Sequence, residues 1–131
     1  MFIDASALVA MLASEEDAAE LLRRLEHSTT RLTSPLAIWE ASVALARNQA
    51  RSVSAVEQEV TAFLSLLNVE MVPVPASSAS LALDAFERYG KGRHKAGLNF
   101  GDCFAYACAR HLGIPLLYKG GDFALTDIEP A

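Results

Sequence analysis

Short runs of aliphatic and β-branched residues alternate along this chain with longer segments whose apolar residues recur at helical spacing. Because parallel strands need a long crossover connection, usually a helix, this alternation predicts βα units around a parallel sheet. The length of 131 residues fits one domain over residues 1–131, without linkers or repeats. Strands are predicted at residues 1–4, 30–33, 69–74 and 114–118, with a short last strand around Ile128.

Capping residues indicate where the helices between these strands begin. The first helix has Ser6 as its predicted N-cap, and Ser34 stands before a proline that suits the first helical position. Ser54 opens a predicted capping box, and the segment Glu-Glu-Asp near residue 16 suits a first helical turn. Asn99 is predicted to cap the helix that ends near Gly113.

Composition narrows the class of protein. The hydrophobic share of 52% and the charged share of 21% are typical of a globular chain, and no apolar run approaches the roughly 20 residues of a membrane span. The N-terminal segment lacks a basic region and contains Asp4, so we expect no signal peptide and a cytoplasmic protein. Cys103 and Cys108 are five residues apart on one predicted helix, which favours two buried small residues over a disulfide or zinc site.

Four acidic residues are predicted to gather at one edge of the sheet. Asp4 ends the first strand, and Asp122 follows the fourth strand by one tight turn. Sites in open parallel sheets form beyond the carboxyl ends of strands, so these two acids share a crevice if those strands are neighbours. Asp102 lies in the first turn of the helix that leads to the fourth strand, and Glu40 lies on a helix face of small residues.

Clustered carboxylates favour a hard divalent cation. Two unit charges about 4 Å apart repel by about 4 kcal/mol at an effective dielectric near 20. Carboxylate and water ligands suit Mg²⁺ or Mn²⁺ and not zinc, and such an ion can acidify a water and neutralise charge on a phosphate. The formal net charge of −5 argues against nucleic-acid binding through bulk positive charge.

Each acid also has a purely structural interpretation. Asp4 suits a cap of the first helix, and Asp102 suits a first-turn acid favoured by the helix dipole. Asp122 suits a turn after two glycines, and Glu40 suits a solvated helix position. A single pocket explains all four together.

The segments that carry these acids resemble a known family. FIDASALVAML, LAIWEASVAL, GLNFGDCFAYACARHLGIPLLYKGGDF and the short tail are similar to PIN-domain ribonucleases, in particular the VapC toxins of bacterial type II toxin–antitoxin modules. The resemblance covers essentially the whole chain. It implies an α/β fold of three layers, α/β/α, with a central parallel sheet of four to five strands in the order 3-2-1-4-5.

The same resemblance implies an activity and a set of partners. It implies a ribonuclease dependent on Mg²⁺ or Mn²⁺, with Asp4, Glu40, Asp102 and Asp122 as catalytic and metal-binding residues and Ser6 as a supporting contact. It further implies a homodimer and a cognate VapB-like antitoxin that blocks the site. A PIN-like module that binds RNA or a partner without cleaving it is the alternative.

A basic loop precedes Asp102 and is our candidate for RNA contact. Phosphate contacts supply most of the affinity for nucleic acids, although a solvated loop explains the same residues. Lys119 is a further candidate near the site, and Asp127 is a candidate to assist or replace Asp122. The loop residues are Lys91, Arg93, His94 and Lys95.

Other doubly wound classes fit less well. A receiver domain needs an aspartate at the end of the third strand, where the sequence has Val72-Pro73-Val74. An aspartyl-phosphate phosphatase needs a second aspartate where Ser6 stands, and a dinucleotide-binding fold needs a glycine-rich turn after the first strand.

Overall fold

The computed structural model describes all residues from 1 to 131. The strands are Phe2–Ile3 (β1), Leu32–Thr33 (β2), Glu70–Met71 (β3) and Leu116–Leu117 (β4). The helices are Ala5–Leu12 (α1), Ala18–Glu26 (α2), Pro35–Asn48 (α3), Val53–Leu66 (α4), Ser78–Tyr89 (α5) and Phe100–Leu112 (α6), and a short 3₁₀ helix covers Phe123–Leu125.

The four strands form one parallel sheet in the order β3-β2-β1-β4. The strand order predicted for these four is therefore confirmed, and β1 and β4 are neighbours. The predicted last strand around Ile128 is replaced by a single parallel bridge between Leu116 and Pro130. In this bridge the Leu116 N–H donates to the Glu129 carbonyl at 2.8 Å, and the Ala131 N–H donates to the Leu116 carbonyl at 2.9 Å.

Several predicted boundaries were wrong by a few residues. Asp4, not Ser6, caps α1, because the extended backbone at Asp4 lets its carboxylate accept from the Ser6 N–H. Ser52, not Ser54, caps α4, since its hydroxyl accepts from the Ala55 N–H. The Glu-Glu-Asp segment precedes α2 and is not its first turn, because α2 begins at Ala18.

The strands are also shorter than predicted, and β3 has only two residues. Pro73 and Pro75 follow it closely, and proline N atoms cannot extend a ladder. Ser34 and Asn99 cap α3 and α6 as predicted.

Apolar clusters cover both faces of the sheet. Successive strand residues point to opposite faces, so Ile3 packs with α1 to α4 while Phe2 packs with α5 and α6. This gives the three layers, α/β/α, that the family resemblance implied. Cys103 and Cys108 are free and buried in the second cluster, as predicted. None of the helices has the length and apolar character needed to cross a membrane.

Candidate active site

One pocket of about 420 Å³ lies beyond the carboxyl ends of β1 and β4, and all four predicted acids line it. Asp4 leaves β1, Asp122 follows β4, and Asp102 and Glu40 come from α6 and α3. The structure thus brings together side chains separated by up to 118 positions in the sequence, from residue 4 to residue 122. Their part in catalysis stays a prediction.

Asp4 is the most deeply buried of the four, with 2% of its surface exposed. Its Oδ2 accepts hydrogen bonds from the Ser6 N–H at 2.9 Å and from the Ser6 hydroxyl at 2.5 Å. Burial raises the pKa of Asp4, and the hydrogen bonds from Ser6 oppose that rise. Ser6 Oγ in turn accepts from the Lys119 N–H at 3.0 Å, so the exit of β4 holds the side chain that orients Asp4.

Asp102 is fixed at the amino end of α6 by a reciprocal capping box. Its Oδ2 accepts from the Asn99 N–H at 2.8 Å, while its own N–H donates to Asn99 Oδ1 at 3.0 Å. Burial raises the pKa of Asp102 to about 6, with smaller contributions from the charges of Asp4 and Asp122, and the Asn99 N–H opposes the rise. The cap and the pocket acid are therefore the same residue, so the two sequence interpretations of Asp102 do not exclude each other.

Glu40 points from the second turn of α3 toward the same pocket. Burial raises its pKa to about 7, and the nearby charges of Asp4 and Asp102 add to the rise. No hydrogen bond contributes to this pKa, in contrast to those of Asp4 and Asp102. Among Asp4, Glu40 and Asp102, Glu40 is consequently the acid that depends most on a bound cation or proton for its stabilisation.

The donor set of the pocket suits a hard divalent cation. Three of the four carboxylates carry a raised pKa, and the charge of the fourth, Asp122, contributes to the raised pKa of Asp102. All four would be stabilised by Mg²⁺ or Mn²⁺. In the conformation of the structure, no three acidic, histidine or cysteine side chains form a ready-made ligand set. An ion held in this conformation would take one or two carboxylates as ligands and complete its coordination with water.

Two further pocket residues escaped the sequence analysis as site residues. Glu15 lines the pocket, and its carboxylate forms an ion pair with the Lys119 ammonium, which also lies 3.8 Å from Asp17 Oδ2. Asn99 lines the pocket as well as capping α6. The capping-box spacing to Asp102 could have identified Asn99, whereas no local sequence pattern places Glu15 beside the exit of β4.

The basic loop lies outside the pocket lining. Arg93 forms an ion pair with Glu87 at 2.8 Å, and His94 Nδ1 accepts a hydrogen bond from the backbone of the same loop. Lys91 and Lys95 are exposed. The prediction that this loop contacts RNA stays a prediction, and it concerns substrate outside the acidic pocket.

Asp127 also lies outside the pocket. It accepts a hydrogen bond from the Tyr106 hydroxyl at 2.7 Å and pairs with Arg88 at 2.9 Å and Arg110 at 2.6 Å. Its carboxylate is fully engaged in attaching the C-terminal segment to α5 and α6. The suggestion that Asp127 assists or replaces Asp122 therefore finds no support in the structure.

The sequence model of the PIN domain matches residues 1–129 of this chain. The chain belongs to the PIN domain family. Ribonuclease VapC30 of Mycobacterium tuberculosis is 44% identical to this PIN domain over 128 residues, an alignment that covers 98% of this chain and 95% of the relative. Ribonuclease VapC of Mycolicibacterium smegmatis is 42% identical, with 98% and 97% covered. The VapC ribonuclease R02377 of Rhizobium meliloti is 38% identical, with 97% and 98% covered.

A solved structure shares the fold of this PIN domain. The crystal structure of Mycobacterium tuberculosis VapC20, a toxin that cleaves the sarcin–ricin loop, superposes with a TM-score of 0.75. The match covers 99% of this chain and 97% of the other at 20% sequence identity, so this likeness concerns the fold alone. The family resemblance predicted from the sequence segments is confirmed by the family match and by these relatives.

Proposed function

We propose that this PIN domain is a VapC-type ribonuclease that hydrolyses RNA phosphodiester bonds at the pocket of Asp4, Glu40, Asp102 and Asp122. The observation that carries the proposal is the convergence of these four carboxylates in one pocket. It is supported by relatives named VapC ribonucleases at 38–44% identity over nearly the full length of the chain.

The four acids would hold Mg²⁺ or Mn²⁺. When bound, such an ion supplies an acidified water and stabilises negative charge that develops on the phosphate. The protein contributes preorganisation: the Ser6 hydroxyl and N–H fix Asp4, and the Asn99 N–H fixes Asp102. Because outer hydrogen bonds orient ligands and tune their basicity, Ser6 and Asn99 are part of the proposed site.

A VapB-like antitoxin and a homodimer are proposed as the assemblies of this protein, following the VapC relatives. Exposed apolar side chains are compatible with protein partners. One apolar groove of about 350 Å³ between α5 and α6 includes Leu83, Phe86, Phe100 and Phe104 among its lining residues. A cytoplasmic location, where RNA and an antitoxin are both accessible, is part of the same proposal.

The test is cleavage of purified RNA in the presence of Mg²⁺ or Mn²⁺. The wild-type protein should cleave, and Asp102→Asn should reduce the rate by about 100-fold or more, the scale on which loss of an electrostatic catalytic group acts. Asp84→Asn, at an exposed aspartate of α5 outside the pocket, is the matched control and should cleave at the wild-type rate.

Two outcomes would contradict the proposal. Equal cleavage by the wild-type protein and Asp102→Asn would indicate a contaminating nuclease. RNA binding without any cleavage would favour the alternative of a non-catalytic PIN-like binding module.

A further inference from the structure

The Glu40 carboxylate lies directly against the backbone of α6 at Gly101, the residue before Asp102. Gly101 is buried and occupies the second position of the helix. A Cβ atom at this position would lie 2.6 Å from Glu40 Cδ and 2.7 Å from Oε1, and closer still to Oε2. Separations below 3.0 Å are essentially never adopted by Cβ atoms. A side chain at residue 101 and the present Glu40 conformation therefore exclude each other.

The backbone at Gly101 does not itself require glycine. The glycines with positive φ are Gly92, Gly97, Gly113 and Gly120, so Gly101 has a conformation that any residue adopts. Glycine is a poorer helix former than alanine, because it loses more backbone freedom on folding. The glycine thus disfavours α6 locally, and the space it leaves is filled by the Glu40 carboxylate.

We infer that Gly101 is a positioning residue that admits Glu40 of α3 to the acidic pocket beside Asp102. The metal-binding part of this inference rests on the proposed function, and its steric part rests on the separation between residue 101 and the Glu40 carboxylate. The clash would involve the far end of a flexible side chain, so Glu40 would rotate away while α6 stays in place. Gly101→Ala is therefore expected to fold normally and to lose the contribution of Glu40 to ion binding.

A double-mutant cycle on Mn²⁺ binding tests this inference. Calorimetry would give the dissociation constant for the wild-type protein, Gly101→Ala, Glu40→Ala and the double variant. Gly101→Ala should weaken Mn²⁺ binding by about 10-fold or more, as for other residues that orient a ligand. In the Glu40→Ala background the same substitution should change the constant by less than about twofold, because its target is absent.

Gly121→Ala is the matched control. A Cβ atom at Gly121 meets no atom within 4 Å, and its φ is not positive. This variant should bind Mn²⁺ within about twofold of the wild-type protein. An equal loss of Mn²⁺ affinity in Gly121→Ala and Gly101→Ala would overturn the inference. The inference would also be overturned if Gly101→Ala weakened Mn²⁺ binding equally in the wild-type protein and in Glu40→Ala.

A crystal structure of metal-free Gly101→Ala separates the inference from the proposed function. The inference predicts that the Glu40 carboxylate leaves its place against residue 101 while α6 keeps its position. An unmoved Glu40, with α6 displaced instead, would refute it. If the wild-type protein binds no Mn²⁺, the proposed metal site fails, and this structure still decides the role of Gly101.

Discussion

Replacing Glu40 by glutamine should stabilise the metal-free protein at alkaline pH. Glutamine has nearly the same shape and carries no charge, so it removes the burial penalty and the repulsion from Asp4 and Asp102. No hydrogen bond stabilises the Glu40 carboxylate, so the substitution sacrifices none. Such a gain in stability is expected when the replaced residue serves function although it destabilises the fold.

The size of the gain follows from the pKa of Glu40. A rise from 4.5 to about 7 corresponds to roughly 3.4 kcal/mol at 1.36 kcal/mol per pKa unit. Glu40 is only half-buried, and solvent screening weakens such interactions considerably. We therefore expect Glu40→Gln to raise the free energy of unfolding by about 1–2 kcal/mol above pH 8.

The sign of the pH dependence follows from linkage. The pKa of Glu40 is higher in the folded protein than in the unfolded chain, so ionisation of Glu40 destabilises the fold. The penalty is complete above about pH 7 and absent well below pH 4.5, where Glu40 is protonated in both states. The advantage of Glu40→Gln should consequently shrink as the pH falls and vanish near pH 4.

Urea unfolding in EDTA at pH 4 and pH 8.5 measures both quantities. Glu57→Gln, at an exposed glutamate of α4, is the control and should leave the free energy of unfolding within about 0.5 kcal/mol of wild type at either pH. The reasoning would be refuted if Glu40→Gln were no more stable than the wild-type protein at pH 8.5. It would also be refuted if the substitution raised the free energy of unfolding by the same amount at both pH values. Either result would mean that Glu40 is not held in a repulsive pocket.

Three further predictions concern the rest of the molecule. Burial raises the pKa of Asp127, but contacts with Arg88, Tyr106 and Arg110 outweigh burial and lower it to about 2. Asp127→Asn should therefore lower the free energy of unfolding in urea by about 1 kcal/mol at pH 7. This loss should disappear as the pH falls from 4 to 2. Neutralising Lys91, Arg93 and Lys95 together should weaken binding to single-stranded RNA, measured by fluorescence anisotropy. The slope of the logarithm of the binding constant against the logarithm of salt concentration should fall in magnitude by about 2. An unchanged slope would exclude the loop from the RNA interface. Calorimetry at pH 6.5 in two buffers should show that Mn²⁺ binding releases protons, because the pocket acids carry raised pKa values, whereas identical heats in both buffers would contradict it.

The acids at strand ends and helix starts were predictable because their positions follow from local rules. Asp4 and Asp122 leave neighbouring parallel strands, and the carboxyl ends of such strands meet at one edge of the sheet. Asp102 follows Asn99 at capping-box spacing, which places it at the amino end of α6. The family resemblance independently assigned Glu40 to this set.

The contacts between distant elements were not predictable from the sequence. The ion pair between Lys119 and Glu15 depends on how the loop after α1 lies against the exit of β4. The contact between Glu40 and Gly101 depends on the approach of α3 to α6, which no local pattern specifies. The caps of α1 and α4 were displaced by two residues because several hydroxyl and carboxylate side chains compete near each helix start.

X-ray diffraction at the manganese absorption edge, from crystals grown with Mn²⁺, tests the central claim most directly. The account predicts an anomalous peak inside the pocket, within ligating distance of oxygens from Asp4 and Asp102 at roughly 2.0–2.6 Å. Crystals of Asp102→Asn grown in the same solution should show a weaker peak or none. A wild-type map without a peak in the pocket, or with manganese bound only elsewhere on the surface, would contradict the account.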